Sequence, residues 1–577
     1  MDQATNSSFL QTARTHLLTV VVEDYFQATA LEGLVPRRHW SRMESRVERS
    51  TLDTLALLER HGAKATFFAT GSVAERLPGL LREIVERGHE VASKGYEHKP
   101  IDTHTPDSFR ADVRRSKQAV ERAIERRVLG YRVPRGHIGL DQTWALEILA
   151  EEGFVYDSSF FPRLRSLARQ PLRRFPHEYQ TRVGPLMEFP LSSAGSDLLL
   201  FPVAGGNYMR QLPPRLMQTS FRWWHNRYTS PFNMYFHVWE MDPELPQIAT
   251  ASFLSRLRQY RNLEQMGDIV EAYLSEYDFT SIADFSRWSQ EPLEREPASV
   301  RRPAALDVAP RADRTAISIV IPCFNEERSL GFLENTLTEV EQLLGADYTI
   351  HYVLVDDCST DTTWSSMQAR FGGRDDCTLV HHEVNQGVAG AILTGIQHAS
   401  TDIVCSMDAD CTYDPLQLKN LIPMLKDDVA MVTASPYHPE GHVVGVPAWR
   451  LFLSRNLSRL YGMVLHHRFA TYTSCFRVYR KSAVEHLVLS DTGFLGVAEM
   501  LILLDLAGER LVECPATLEV RLLGVSKLKT ARTIAGHLKL LAKIPELRSH
   551  PDWIAERVRG DASHLNGNGN QSGRATP

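Results

Sequence analysis

Short apolar runs ending in acids, hydroxyls or glycine recur through both halves of the chain, separated by stretches of helical spacing. Such a run reads as a strand buried on both faces, and its alternation with helices predicts parallel α/β sheets. In the first half the runs are 17–22 (LLTVVV), closed by Glu23 and Asp24; 63–69; 90–93, leading into Lys94; 128–134; and 154–159. Helices are predicted over 72–87 and 142–152. The pattern implies a barrel-like α/β domain. In the second half 317–323 (ISIVIPC), 353–355 and 403–405 play the same part, and Asn385-Gln386-Gly387 turns into a helix. A mostly parallel sheet is expected there.

Between the halves, 289–315 is rich in proline, alanine and mixed charge without an apolar period, which predicts a semi-rigid linker. The ends, 1–16 and 551–577, are expected to be mostly disordered, the second closing in the polar string HLNGNGNQSGRATP. Domains are therefore expected at 17–288 and 316–550. The length, 577 residues, allows two to four domains at about 150 residues each. A net charge of −6 argues against a general nucleic-acid binder. All 7 cysteines lie between Cys323 and Cys514 with no close CxxC pair, so reduced thiols are expected, not disulfides or a zinc site. The start lacks a leader pattern and no apolar run is long enough to span a bilayer, which predicts a cytoplasmic protein. Peripheral contact with the inner membrane face is suggested by 527–544, where Lys and Arg alternate with aliphatic residues at roughly helical spacing.

The candidate chemistry concentrates after the 403–405 run, where Asp408 and Asp410 stand one residue apart in SMDADCT. In extended backbone residues i and i+2 face one side, so both carboxylates can reach one divalent cation at the strand's carboxyl edge, where open α/β sheets bind ligands. The ordered series IPCFNEE, VDDCSTD, NQGVAGA and MDAD resembles family 2 glycosyltransferases of GT-A fold, a Rossmann-like nucleotide-sugar-binding fold. Within them it resembles the dolichol- or polyprenyl-phosphate mannosyl/glucosyltransferases, and TSCFRVYR and RLLGVSKL are similar to later elements of that branch.

The resemblance implies a nucleotide-diphosphate sugar donor whose pyrophosphate is neutralised by Mg²⁺ or Mn²⁺ on Asp408 and Asp410. Pro322, Asn325, Glu326 and Asp357 then line the base and ribose pocket. Phosphate contacts fall to Arg450, Arg455, Arg477, Arg521 and Lys527, and Glu499 takes the place of an acid near the acceptor. The chain departs from the branch at Thr412, where a glutamine is usual, at Pro436 in place of an arginine, and at Cys475 in place of a glycine.

The first half carries a second resemblance. ATFFATGSVAERLP, GHEVASKGYEH, GYRVP, ALEILAEEGFVYDSS and YFHVWE, in that order, resemble NodB-type polysaccharide deacetylases, closest to the branch opening DVEDYFQ that accompanies exopolysaccharide clusters. A distorted (β/α) barrel is implied. Those esterases use a carboxylate base and a divalent metal held by an acid and two histidines. Here Val21 replaces the opening acid and Lys94 the first histidine, while Asp24, His98, Arg132 and His237 match retained positions. A charged ammonium cannot ligate a metal. The Lys94 side chain is therefore expected where the cation would sit, paired with Asp24 or Glu23, with the metal absent and deacetylation lost. The alignment across V-V-E-D also admits Glu23 as base with Asp24 and His98 as metal ligands. The tyrosines, Trp239 and Arg132 are expected to keep a sugar-binding groove.

The whole is expected to be an inverting glycosyltransferase delivering a hexose to polyprenyl phosphate or a related glycan acceptor in cell-surface polysaccharide synthesis, with an inactive deacetylase-like domain. The rivals are a bifunctional deacetylase/glycosyltransferase and a non-catalytic carbohydrate-binding assembly protein.

Overall fold

Strand β1 (His16–Val22) is buried along its whole length, as a strand flanked on both sides must be. It pairs in parallel with β2 (Thr66–Ala69) and with β10 (Asn233–His237), in a register that sets Val21 beside Phe68 and His237. Strands β3 (Glu90–Ser93), β4 (Gly130–Tyr131) and β5 (Tyr156–Asp157) extend the sheet in parallel, followed by β7 (Gly184–Glu188) and its antiparallel partner β6 (His177–Thr181). The order is β10-β1-β2-β3-β4-β5-β7-β6, with β11 (Phe279–Thr280) also on β1. Among the described residues β10 and β6 do not pair, so the curved sheet is an open barrel. Parallelism has one consequence for function: the carboxyl ends of β1, β3, β4, β5 and β10 gather on one rim.

The computed structural model describes residues 14–162, 171–196, 199–288, 290–293, 314–446, 448–524 and 530–560. Most of the expected linker, the expected disordered start up to residue 13, Lys527 and the stretch after 560 lie outside them. A helix, Pro551–Arg559, stands where the sequence pattern placed the beginning of the tail. Its amphipathic spacing buries Ile554 and Arg557.

The chain clusters into two compact units. The first comprises Met1–Pro36, Ser45–Leu245 and Ala251–Arg301; the second comprises Arg37–Glu44, Pro246–Thr250 and Arg302–Pro577.

In the second unit β12 (Thr315–Cys323) is central, paired in parallel with β13 (Tyr348–Asp356) and β15 (Ile403–Ser406). The sheet order is β14-β13-β12-β15-β18-β16-β19, where β14 is Cys377–His381, β16 Met431–Ser435, β18 Arg477–Arg480 and β19 Leu511–Pro515. Only β18 runs antiparallel, between β15 and β16. The helix Val388–His398 crosses β12 so closely that a Cβ on Gly395 would lie 2.2 Å from Val320 Cγ1, so no larger residue fits there. The carboxyl ends of β12, β13 and β15 open on one edge, as the alternating pattern predicts. A mixed α/β fold is thus present in both units.

Candidate functional site

In the second unit the edge of β12, β13 and β15 brings together four of the expected residues. Arg521 forms an ion pair with Glu326 and approaches Asp410, its Nε lying 3.3 Å from Oδ2. The same Nε donates to the Leu523 carbonyl at 2.8 Å, which fixes the guanidinium. The Thr412 N–H donates to Asp410 Oδ1 at 3.1 Å, closing the loop after β15. Burial, and then the neighbouring Asp410, push the Asp408 carboxyl up to about 7. Burial also raises Asp410, although Arg521 acts against it. Cys475, at the branch's glycine position, lies close enough to Asp408 to feel its charge, and burial raises its thiol well above the ordinary value.

Three acids crowded in a half-buried site with one arginine lack positive charge. That is the environment a divalent cation stabilises, and the donor set is the hard oxygen type that suits Mg²⁺ or Mn²⁺. Asp408 and Asp410 would hold the cation.

Asp357 has another task. Its Oδ1 accepts from His382 Nδ1 at 2.8 Å and from the Gln386 N–H at 2.7 Å, while Oδ2 accepts from the Gly387 N–H at 2.8 Å. Gly387 has φ +82°, and a Cβ there would meet Gly493 Cα at 2.7 Å, so the turn into the Val388–His398 helix requires glycine. Asn325, at φ 52°, accepts from the Thr360 N–H at 2.7 Å and so ties the loop after β12 to the loop after β13. Pro322 sits in β12 opposite Val355.

Other expected residues lie elsewhere. Arg477 is fully buried and donates to the Val497 and Tyr472 carbonyls at 2.7 and 2.8 Å, so it braces the core. Glu499 is 1% exposed. Its Oε2 accepts from the Ser490 and Asp491 N–H groups at 2.9 and 3.1 Å, and its Oε1 from Arg557 at 2.9 Å. None of these partners belongs to the acid cluster. Glu499→Ala is expected to cost about 3 kcal/mol by stranding a buried arginine, read as a lowered urea midpoint. If Glu499 were the base of the reaction, Glu499→Gln would also abolish kcat in a chain still folded at the assay temperature.

In the first unit the rim of β1, β3 and β10 assembles a different centre. Lys94 Nζ donates to Glu23 Oε2 at 2.7 Å and to the Pro134 carbonyl at 2.8 Å. His98 Nε2 lies 2.9 Å from the same Oε2, and His237 Nδ1 lies 2.7 Å from Oε1. Burial alone would raise the Glu23 carboxyl, yet Lys94, His237 and His98 together hold it well below its ordinary value. Burial and the Lys94 charge lower His98 to about 4, so it serves as a neutral N–H donor at pH 7.

The sequence left Asp24 or Glu23 as the partner of Lys94, and the structure selects Glu23. Asp24, 1% exposed, instead caps the helix Val47–Arg60. It accepts from the Arg46 and Val47 N–H groups at 2.7 and 3.0 Å, from Ser45 Oγ at 2.8 Å and from Arg76 at 3.0 Å. With its oxygens so committed, Asp24 does not fit the part of a metal ligand, and the ammonium already fills the centre of the cluster. Arg132 turns from Glu23 to the Ser158 carbonyl and hydroxyl, at 2.9 and 2.8 Å, and to Thr19 at 3.1 Å; burial lowers it to about 10. Trp239 is buried near the Arg210 guanidinium, 5.5 Å from its ring, and offers no open platform for a sugar.

Sequence reasoning missed His382, Arg557 and Arg76. Each lies far along the chain from the acid it serves, and no local motif marks the pairing.

Comparison with known proteins agrees with this division. The family model for polysaccharide deacetylase matches residues 44–154, a domain of unknown function (DUF3473) matches 158–287, and glycosyl transferase family 2 matches 318–488. A dolichol-phosphate mannosyltransferase of Pyrococcus furiosus is 28% identical over 249 residues, covering 42% of this chain and 66% of that protein, just under two thirds of its length. A polyprenol monophosphomannose synthase of Mycolicibacterium smegmatis is 27% identical over 244 residues, covering 41% of this chain and 88% of its own. Among solved structures, the glucosyl-3-phosphoglycerate synthase of Mycobacterium tuberculosis is 19% identical with a TM-score of 0.32, covering 41% of this chain and 80% of that one. A CE4 family pseudoenzyme from Bacillus anthracis is 12% identical with a TM-score of 0.27, covering 48% and 66%. At these scores the structural likeness supports no functional conclusion. The chain joins a polysaccharide deacetylase-like domain, continued by DUF3473, to a family 2 glycosyltransferase domain.

Proposed function

We propose that the chain is an inverting hexosyltransferase using a nucleotide-diphosphate sugar, with polyprenyl phosphate as acceptor, in the synthesis of a cell-surface polysaccharide. The observation that carries this is the Asp408, Asp410, Glu326 and Arg521 cluster on the carboxyl edge of β12 and β15. A Mg²⁺ or Mn²⁺ on Asp408 and Asp410 supplies charge neutralisation for the donor's pyrophosphate. Arg521 is placed beside those acids to take up charge on the leaving nucleoside diphosphate. An acceptor phosphate oxygen is already anionic and needs no base. It attacks the anomeric carbon as the carbon–oxygen bond to the diphosphate breaks, and the diphosphate leaves with the electron pair, inverting the centre. The enclosure of Glu499 among its structural partners suits a reaction that needs no such base.

In the same reading the barrel no longer deacetylates, because the Lys94 ammonium stands where the metal would be, and its role is to hold a partner or glycan. The proposal is tested by giving the chain labelled UDP-glucose, GDP-mannose and UDP-N-acetylglucosamine with undecaprenyl phosphate. Label in the organic phase that mild acid releases supports it; label that appears only in soluble glycan moves the acceptor to a sugar hydroxyl.

A lipid acceptor asks for contact with a membrane surface, and no helix among the described residues is long and apolar enough to cross one. The segment 527–544 was expected to supply that contact. In the structure the helix Thr530–Ser549 turns Leu540 and Ile544 into the core. A better surface is the helix Ala448–Val464, which exposes Trp449, Phe452, Leu453, Leu460 and Met463 alongside Arg450, Arg455 and Arg459, and contains no acid. Such a face suits an anionic bilayer. Trp449→Glu with Phe452→Glu is expected to lower binding to phosphatidylglycerol vesicles by about tenfold, measured by flotation, with phosphatidylcholine vesicles bound weakly by both proteins.

A further inference from the structure

The segment Arg37–Glu44 comes from the first half of the sequence yet belongs to the second compact unit. Its side chains bracket the loop that carries the acids. Arg42 is 4% exposed and donates through Nε to Glu339 at 2.8 Å and through Nη2 to both oxygens of Asp414 at 3.1 and 3.3 Å. Asp414 in turn caps the turn Pro415–Gln417 by accepting from the Leu416 N–H at 3.1 Å. Ser41 adds a 2.7 Å bond to Glu339, and Asn335 donates to the Arg42 carbonyl at 3.1 Å.

On the other side, His39 and Arg38 hold Glu519 at 2.9 and 2.7 Å. The His39 hydrogen bond is the largest influence on the Glu519 carboxyl, which is held down at about 2. Glu519 ends β20 (Thr517–Glu519), its N–H donates to the Thr412 carbonyl at 2.8 Å, and Leu518 bridges to Tyr413. Two residues further on is Arg521. The stretch Asp410–Asp414 is therefore held at two points: Arg42 holds Asp414, and His39 holds Glu519, whose N–H bonds the Thr412 carbonyl and whose strand leads to Arg521.

We infer that Arg37–Glu44 is a positioning strap for the transferase metal site, with Arg42 and His39 setting where Asp410 and Arg521 stand. These residues touch neither donor nor metal; they act through Asp414 and Glu519. A buried guanidinium shared by two carboxylates has a fixed geometry that a lysine cannot reproduce, so Arg42→Lys should recover only part of the effect. The inference rests on the transferase reading of Asp408 and Asp410.

The test uses the full chain, with Mn²⁺ binding in the presence of UDP or GDP followed by electron paramagnetic resonance of the free ion, and the thermal midpoint recorded in parallel. Arg42→Ala should weaken Mn²⁺ binding about tenfold and Arg42→Lys by less, with the Arg42→Ala midpoint lowered because Glu339 and Asp414 lose their shared partner and affinity therefore read on the folded chain. His39→Gln, which keeps a donor for Glu519, covers the case in which Arg42→Ala does not fold and should weaken binding about threefold. Unchanged Mn²⁺ affinity in folded Arg42→Ala and His39→Gln overturns the strap while leaving the transferase reading standing. Failure of the wild-type chain to bind Mn²⁺ with either nucleotide overturns both.

Discussion

Asp410→Ala is expected to lower transfer on the order of 10³-fold while leaving the folded state as stable as wild type. The reason is the asymmetry of its surroundings. Asp410 shares the edge with Asp408 and Glu326, and burial raises its pKa, so its ionised form is held there at a cost that Arg521 offsets in part and a bound cation would offset further. Removing it relieves like-charge repulsion, at the loss of one hydrogen bond from the Thr412 N–H and of the approach to Arg521, which keeps Glu326 as its partner. A residue kept for stability would show the opposite balance. The check is kcat for the variant against its urea midpoint, with Asp410→Asn as the volume-matched control. A variant within tenfold of wild-type kcat would remove Asp410 from the site.

The second large effect concerns the barrel. Val21→Asp combined with Lys94→His is expected to give a chain that retains about one Zn²⁺ after dialysis where the wild type retains none at that rim. Val21 is 1% exposed, and in extended backbone its side chain shares a face with that of Glu23, toward Lys94 and His98. The Lys94 ammonium gives Glu23 its counter-charge; the double variant removes it and supplies a carboxylate and an imidazole beside His98 and His237. Lys94→Ala alone leaves Glu23 buried without its main partner and should cost about 3 kcal/mol. Metal content by mass spectrometry of the folded double variant decides the matter. A folded double variant without metal would mean that Val21 and Lys94 do not mark lost ligand positions, and a metal-loaded wild type would mean that the ammonium does not displace one.

Much of this was legible in the sequence because buried parallel strands write themselves as unbroken apolar runs. ISIVIPC and LLTVVV each became an interior strand paired on both sides, and the acids that follow such runs lie at the carboxyl edge by geometry alone. What the runs do not encode is pairing over distance. Glu23 and Asp24 are adjacent and point to opposite sides, so only one can face the rim. The choice depends on the helix Val47–Arg60, whose N-terminus consumes Asp24. Glu499 sits in a strongly apolar helix and reads as an acid kept for chemistry until Arg557, 58 residues on, is seen beside it. The short arginine-rich segment around Arg42 looks like solvated surface, since Asp414 lies 372 residues away. Hydrophobic period specifies elements and edges, whereas the satisfaction of buried charge is a property of the folded chain.

On the reading proposed above, the chain has one working metal centre, on Asp408 and Asp410, and one centre in which a lysine has taken the metal's place. Mn²⁺ stoichiometry of the wild-type chain and of Asp410→Ala, each measured with and without saturating UDP or GDP, distinguishes the two centres. A single Mn²⁺ per chain that depends on nucleotide and is lost in Asp410→Ala is expected. Mn²⁺ that binds without nucleotide and survives in Asp410→Ala would contradict it and place the metal in the barrel.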